Sequence, residues 1–572
     1  MRFDEAVLCY DRAITIKPDY AEAHNNRGNA LKGLIRFEEA LMSYKKAISV
    51  KPDYSDAYSN AGVVLQELRR FDEAFAVLEA SISFAPDNAG AYNNCGVALK
   101  EMRRFEEAIL FYGRAVLLAP RYAEAYNNRG VAFQDLKQFE DAIEDFRTAI
   151  AVDPTCFHAH SNLLFTMNYV EAFSIDARVR EALRFGSSVA NKASAKFGSW
   201  VSPGHSDKLR IGLFSGDFRN HPVGYFLEGL LAKIDKSRFD LFAYATNPTD
   251  DDLTKRLRNH VPVWRSLWDK NDADAARLIH GDGLHILIDL SGHTAGNRLS
   301  VFARKPAPVQ SSWLGYFATT GVSEIDFFIG DPHVAPPGEE HHFCERVVRL
   351  PETYLCFTPP QSEVEVGPLP ALENGFVTFG CFNNLAKLHA RVVALWAKVL
   401  NAVDGSRLFL KAGQLGDPAV IQSTMEMFQI AGVDPRRLVF EGPSDRRAYF
   451  HAFNRVDIAL DPFPFPGGTT SVEGLWMGVP VISLRGNRFI AHNCETIAHN
   501  CGQSDWIAQD EEDYIRKAVL FTSDLTALAK LRSGLRRQVL TSPLFDSVRF
   551  ARNFEKLMLD LWADYEGRSS QG

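Results

Sequence analysis

Apolar and polar positions in the first part of the chain repeat at a fixed interval of 34 residues. Phe3, Phe37, Phe71, Phe105 and Phe139 each open a Phe-acid-acid-Ala stretch. Pro18, Pro52, Pro86, Pro120 and Pro154 follow at the same interval, as do Asn26-Arg27-Gly28, Asn60-Ala61-Gly62, Asn94-Cys95-Gly96 and Asn128-Arg129-Gly130. Such a period predicts a pair of helices per repeat. Small residues such as Gly28 and Ala40 let the two helices approach closely, and the proline ends the second, because it cannot continue one. Stacked pairs bury a continuous core and leave a concave face, so an α-solenoid is expected over 1–168. The fifth block keeps Asn162 but carries Leu163-Leu164 where the others have a small residue and glycine. That apolar pair predicts docking of the solenoid onto the next domain. The first block begins at its second helix, which reads as a truncated array.

A helical linker is expected over 169–207, with a helix around 179–185 and a breaker-rich loop at 197–204. Beyond Leu209 the pattern changes to short apolar runs at 209–214, 239–244 and 286–290, separated by helical stretches such as 272–280. After the proline-rich break at 359–370 the cycle restarts with runs at 376–379, 407–411, 437–440 and 456–460. Strands alternating with helices predict parallel sheets with ligand crevices at the strand C-termini. Two such halves are expected, 208–370 on the acceptor side and 371–572 on the nucleotide side.

Composition narrows the classes. With 63 Lys and Arg against 71 Asp and Glu the formal charge is −8, a poor basis for general nucleic-acid binding. No apolar run is long enough to span a membrane, and the acidic Asp4-Glu5 near the start does not suit a secretory signal. The eight cysteines include no Cys-x-x-Cys pair, which fits free thiols in a reducing cytoplasm.

Candidate chemistry gathers in the second half. Gly467-Gly468-Thr469-Thr470-Ser471 precedes an apolar helical stretch, and amides at a helix start attract phosphate. Thr469 and Thr470 add hydroxyl donors, and Lys387 follows another strand of the same half and offers a positive charge. Glu473, one turn into the helix, could accept from two ribose hydroxyls. The alternative for this stretch is plain helix capping. A Walker motif is absent, which argues against an ATPase. The asparagines 26, 60, 94, 128 and 162 share one repeat position: they read either as a ladder gripping an extended peptide backbone or as inter-repeat hydrogen bonds. Asp250-Asp251-Asp252 reads as a solvated helix cap rather than a metal site, and His341-His342 as exposed loop rather than ligand.

The 34-residue blocks resemble the tetratricopeptide repeat, and the two halves look like the two-domain glycosyltransferase architecture called GT-B. Longer runs are more specific: 215–222, Pro306 to Gln310 with Trp313 to Tyr316, 375–387, the Gly-Gly-Thr-Thr helix start, Gly478-Val479-Pro480, and 542–545. On these the chain resembles the protein O-linked N-acetylglucosamine transferases and SPINDLY proteins of glycosyltransferase family 41. The resemblance implies inverting transfer of a sugar to Ser or Thr hydroxyls of proteins, with no metal cofactor and with acceptors held in the repeat groove. It implies that His221 is an active-site histidine, that Lys387 binds the diphosphate, and that Asn384 is a nearby polar ligand. It implies phosphate binding by Thr469 and Thr470 beside Gly468, and puts His285 near a second cleft histidine. Glu473 and Tyr449 stand where the animal enzymes carry aspartate and histidine, and 383–387 looks closer to SPINDLY. The donor is therefore UDP-N-acetylglucosamine or, in a SPINDLY-like enzyme, GDP-fucose. Two other readings stay open: a scaffold with a decayed enzyme domain, and an enzyme with a non-protein acceptor.

Overall fold

The computed structural model describes residues 3–193, 195–200, 208–360 and 364–569. Half of the 197–204 loop and part of the proline-rich break therefore lie outside the described residues. The chain divides into two compact units, 1–167 and 168–572.

The first unit is ten helices: α1 (Phe3–Ile16), α2 (Ala21–Gly33), α3 (Phe37–Val50), α4 (Ser55–Glu67), α5 (Phe71–Phe84), α6 (Ala89–Glu101), α7 (Phe105–Leu118), α8 (Ala123–Asp135), α9 (Phe139–Val152) and α10 (Phe157–Thr166). Each helix packs on the next, as the period predicts. The repeated glycine has a direct steric cause. A Cβ on Gly28, Gly62, Gly96 or Gly130 would lie 2.4, 2.4, 2.6 or 2.6 Å from Tyr44, Leu78, Tyr112 or Phe146, respectively. Two residues beyond the end of α2, α4, α6 and α8 the chain passes through a left-handed residue, Ile35, Arg69, Arg103 or Lys137, which turns it into the next helix.

The second unit opens with α11 (Ile175–Lys192). Its first sheet is built from β1 (Leu209–Ser215), α12 (Pro222–Lys233), β2 (Phe239–Ala245), α13 (Asp252–Arg258), β3 (Val263–Ser266), α14 (Asp272–Gly281), β4 (Ile286–Asp289), α15 (Leu299–Phe302), β5 (Val309–Ser312), β6 (Phe327–Gly330) and β7 (Arg346–Arg349). The second follows from α16 (Pro370–Asn374), β8 (Thr378–Cys381), α17 (Ala390–Ala402), β9 (Arg407–Lys411), α18 (Pro418–Ile430), β10 (Leu438–Glu441), α19 (Arg446–Ala452), β11 (Ile458–Leu460), α20 (Thr469–Trp476), β12 (Val481–Leu484), α21 (Phe489–Asn500) and β13 (Ile507–Ala508). The helices α22 (Glu511–Thr522), α23 (Leu525–Leu540) and α24 (Ser547–Ser569) close the chain.

Both sheets are wholly parallel, in the orders β3-β2-β1-β4-β5-β6-β7 and β10-β9-β8-β11-β12-β13. The central strands β1, β2, β4 and β8 are buried on both faces because helices cover both. Two late helices cross back to the first sheet. Phe489 of α21 packs edge-on to Phe328 and Tyr354, and α24 brings Phe550 and Phe554 against buried Trp313. The second half thereby contributes to the core of the first.

Candidate active site

In each sheet the winding reverses between two neighbours, β1 and β4 in the first and β8 and β11 in the second. Parallel sheets take ligands in the crevice at the C-terminal ends of such a pair. In the second half the chain leaves β8 through Phe382, Asn383 and Asn384 into a tight turn ending at Lys387. It leaves β11 through Asp461 and a proline-rich loop to Gly467, Gly468 and α20, of which Gly468 is the N-cap. The two exits meet. Lys387 Nζ donates to Asn383 Oδ1 at 3.0 Å and to the Pro466 carbonyl at 2.8 Å, and stands 4.2 Å from the centre of the Phe465 ring. Thr470 Oγ1 donates to the same Asn383 Oδ1 at 3.2 Å. Burial pushes the Lys387 ammonium down to about 8, with Asp461 and Cys381 pulling the other way. Thr469 is the first residue of α20, half-buried beside Gly468. Asn384 is exposed and caps the Lys387 turn, accepting from the Ala386 N–H at 2.8 Å and from Gln414 at 2.6 Å. The arrangement offers an ammonium, two threonine hydroxyls and a helix N-terminus to one small volume, a donor set suited to phosphate.

Glu473 departs from the role expected of it. It is 1 % exposed, and both its oxygens are engaged, Oε1 by Arg446 and Oε2 by the Tyr449 hydroxyl at 2.8 Å. Burial raises its affinity for a proton and Arg446 opposes that. Tyr449 is its partner and packs edge-on to Phe382 and Phe453. The pair ties α19 to α20, and a ribose would have to share the carboxylate with these two donors.

His221 lies where β1 gives way to α12, at the winding reversal of the first half. It caps α12, its Nδ1 accepting weakly from the Val223 N–H at 3.4 Å, with Asp217 Oδ2 3.7 Å from the same nitrogen. Burial pulls its pKa below the ordinary imidazole value, Asp217 pulls up and Arg219 pulls down. The two contacts of Nδ1 specify different tautomers. With Nδ1 capping the helix, the neutral ring carries its proton on Nε2 and can only donate there. With Nδ1–H turned to Asp217, Nε2 is free to accept a proton.

His285 does not join the cleft. It precedes β4, at the opposite end of the sheet, where Nδ1 accepts from the Arg210 N–H at 2.8 Å and the ring packs edge-on to Trp562. A strand rises about 3.3 Å per residue, so the few residues of β4 carry the chain roughly 13 Å from His285 to the crevice. His293 is the histidine beyond that strand, buried with Nε2 on the Thr320 carbonyl at 2.9 Å and the ring between Phe185 and Tyr316.

Aromatic contacts close the cleft at two points. Tyr225, one turn beyond His221, has the Arg446 guanidinium 4.6 Å from its ring centre, and Phe317 packs edge-on to Phe465 beside Lys387. His221, the Arg446–Glu473 pair and Lys387 therefore border one cleft.

The repeat asparagines form hydrogen bonds to one another's neighbours. Asn60, Asn128 and Asn162 donate to Asn25, Asn93 and Asn127 of the preceding repeat at 3.0, 3.0 and 2.9 Å. Asn94 Oδ1 accepts from Asn93 at 3.4 Å, and Asn26 is exposed. The inter-repeat reading thus describes where three of the amide nitrogens go, while four of the five side chains stay half-buried and one exposed. Asp251 is the N-cap of α13 in a reciprocal capping box with Thr254, and Asp250 pairs with Arg258 at 3.3 Å. His341 is exposed, but His342 is buried beside Glu339, contrary to the loop expected of both.

Two residues of this site escape spacing arguments. Asn383, not its neighbour Asn384, joins Lys387 to Thr470. Asp461 accepts from the Gly467 N–H at 3.0 Å, Ser471 Oγ at 3.1 Å, Ser483 Oγ at 2.8 Å and Asn383 Nδ2 at 3.4 Å. One signal was available: the apolar runs of β4 and β11 both close on aspartate, Asp289 and Asp461.

Two Rossmann-like halves, preceded in the chain by stacked helical pairs, define a GT-B-like fold that follows a tetratricopeptide array. The model of glycosyl transferase family 41 matches residues 151–358 and 369–554, and tetratricopeptide repeat models match 2–34, 36–69, 55–88, 89–122 and 123–156. The chain belongs to glycosyl transferase family 41. A probable UDP-N-acetylglucosamine–peptide N-acetylglucosaminyltransferase SPINDLY of Solanum lycopersicum is 35 % identical over 415 residues, which are 71 % of this chain and 44 % of that protein. The SPINDLY protein of Arabidopsis thaliana is 34 % identical, with 71 % and 45 % covered. The chain therefore spans less than half the length of these curated relatives. Among solved structures, a Thermobaculum terrenum O-GlcNAc transferase mutant matches with a TM-score of 0.82 and 34 % identity, covering 90 % of this chain and 98 % of that one.

Proposed function

We propose that the protein transfers a sugar from a nucleoside diphosphate to Ser or Thr hydroxyls of proteins, with inversion, and that UDP-N-acetylglucosamine is the donor. The observation that supports this most is the meeting of Lys387 and Thr470 on Asn383 at the start of α20, within a family 41 fold. The relatives named above as peptide N-acetylglucosaminyltransferases supply the donor and the acceptor class.

The acceptor oxygen attacks the anomeric carbon as the bond to the β-phosphate oxygen breaks. The hydroxyl proton leaves, and negative charge grows on the departing diphosphate. Lys387, Thr469, Thr470 and the amides at the start of α20 meet that charge without a metal ion, in a cleft where fixed donors act most strongly. Gly468 lets the diphosphate approach the helix start, and Asn384 borders it. His221 orients the acceptor hydroxyl, and in the tautomer that faces Asp217 it takes the proton. The half-buried edge of Asn26, Asn60, Asn94, Asn128 and Asn162 is the proposed track for acceptor chains. Among the described residues no helix is long and apolar enough to cross a membrane, and all eight cysteines are unpaired, which suits a reducing cytoplasm.

Calorimetric titration with UDP and with GDP, followed by transfer assays with UDP-N-acetylglucosamine and GDP-fucose and mass spectrometry of the acceptor, tests the proposal. Tight UDP binding and hexosamine on Ser or Thr are expected. GDP binding and deoxyhexose would move the donor to GDP-fucose. No binding of either nucleotide would leave only a scaffold, and a modified glycan in place of protein would overturn the acceptor.

A further inference from the structure

Asp461 is 2 % exposed and takes part in no step described above, yet it is the most heavily hydrogen-bonded group of the cleft. Its Oδ1 and Oδ2 draw on four elements: the Gly467 N–H of the phosphate loop, Ser471 of α20, Ser483 of β12 and Asn383 beyond β8. Asn383, 6 % exposed, passes the effect on. Its amide nitrogen donates to Asp461 at 3.4 Å, which fixes the amide orientation, and its Oδ1 then faces Lys387 at 3.0 Å and Thr470 at 3.2 Å. An amide turned the other way would set its nitrogen against an ammonium, donor to donor. The Gly467 position has no room to give: a Cβ there would lie 2.1 Å from Ser471 Oγ and 2.8 Å from Asp461 Oδ1.

The first half repeats the device. Asp289 ends β4 as Asp461 follows β11, accepts from the Ser291 and Gly292 N–H groups at 3.1 and 2.9 Å, and accepts from Ser312 on β5 at 3.0 Å, as Asp461 does from Ser483 on β12. In each half a buried aspartate at the winding reversal is fastened to a serine of the next strand and shapes the glycine loop. Only in the second half does it also face a lysine.

We propose that Asp461, acting through Asn383, is the positioning residue that aims Lys387 and Thr470 at the diphosphate and keeps Lys387 charged. This rests on the phosphate role given to Lys387 above. The charged and titratable groups that act on Lys387 are Asp461 and Cys381, and Cys381 is held neutral because burial pushes its thiol up to about 11. Burial lowers the Lys387 value and Asp461 raises it, so loss of the Asp461 charge lowers it further. Ammonium charge is then lost at a lower pH.

The test is nucleotide binding against pH by calorimetry, with UDP and GDP titrated separately into wild type and Asp461→Asn and the tighter ligand carried through. At pH 6 the variant is expected to bind as well as wild type or better, because one buried negative charge near a diphosphate is gone. At pH 8 it is expected to bind at least fivefold more weakly. A loss of equal size at both pH values would mean that Asp461 only props up the loop, and would overturn the proposal. So would unchanged binding at pH 8. Asn383→Ala, which leaves the bonds of Asp461 to the loop and to Ser483 in place, carries the test if Asp461→Asn does not fold. About tenfold weaker binding is expected, and binding within twofold of wild type would refute the relay. Failure of wild type itself to bind either nucleotide would instead remove the phosphate reading on which the proposal rests.

Discussion

At the scale of single residues, the site depends on what each side chain is already bonded to. Lys387 bonds to a carbonyl and an amide and faces an aromatic ring, and among the described residues no carboxylate is in ion-pair contact with it, so its charge is left for an incoming anion. Lys387→Ala is expected to lower transfer by roughly 100- to 1000-fold, the usual effect of losing one donor to developing charge, while leaving the thermal midpoint unchanged. Steady-state rates and a melting curve on the same sample check both halves of that statement. His221 sits below the ordinary imidazole value because burial disfavours its cation. The neutral ring is therefore favoured, and a step that needs it unprotonated fails only on the acid side of the ordinary imidazole range. A rate–pH profile should show that acid limb in wild type and lose it in His221→Asn, in which a side-chain oxygen can still cap α12. An unchanged limb in the variant would assign the titration to another group.

Elements obey stricter geometry. The repeat glycines of the solenoid exist because a ring or a branched side chain occupies the space a methyl would need. Gly96→Ala puts a Cβ 2.6 Å from the Tyr112 ring, which is fully buried and cannot swing out. Overpacking of this kind costs about 1–3 kcal/mol, readable as a lower urea midpoint for the solenoid. An equal or higher midpoint would show that the α6–α7 pair has room for the added methyl. The period of 34 made these helices and their glycines legible in the sequence, because helix-on-helix packing writes itself into local spacing. The strands were legible too, though not their neighbours: nothing in an apolar run tells which strand lies beside it. Hence the placing of His285, which the family resemblance put near a cleft histidine, while the length of β4 separates it from the crevice. Nor does spacing show that Asn383, beside the expected Asn384, joins Lys387 to Thr470, since adjacent loop residues differ only in where the fold points them.

For the second unit as a whole, α21 is one of the two helices that join the halves. Its His492 pairs with Glu495 on the same helix at 2.6 Å and with Glu339 of the first half at 3.2 Å, Thr496 donates to Asp331, and Asn493 accepts from Tyr354. Burial draws the His492 value down, but the two carboxylates more than offset it, and the net shift is upward. A histidine whose folded value exceeds its unfolded one contributes stability that is complete below the unfolded value and is lost as the pH rises through the folded one. The midpoint difference between wild type and His492→Gln should therefore be widest near pH 6 and shrink by pH 8. A constant difference across that range would assign His492 to packing alone.

Sequence by itself determined the solenoid, the alternation of strand and helix in two cycles and the family, and it singled out Lys387, Gly468, Thr469 and Thr470 as the candidates for phosphate binding. All of these follow from periodicity or from contiguous motifs, whose physics is local. Tertiary structure alone decided that Glu473 is tied up by Arg446 and Tyr449, that three ladder asparagines spend their amide nitrogens between repeats, and that Asp461 and Asn383 stand behind the lysine. Those facts depend on strand order and on which side of a loop faces a neighbour, and such long-range geometry leaves no mark on residue spacing.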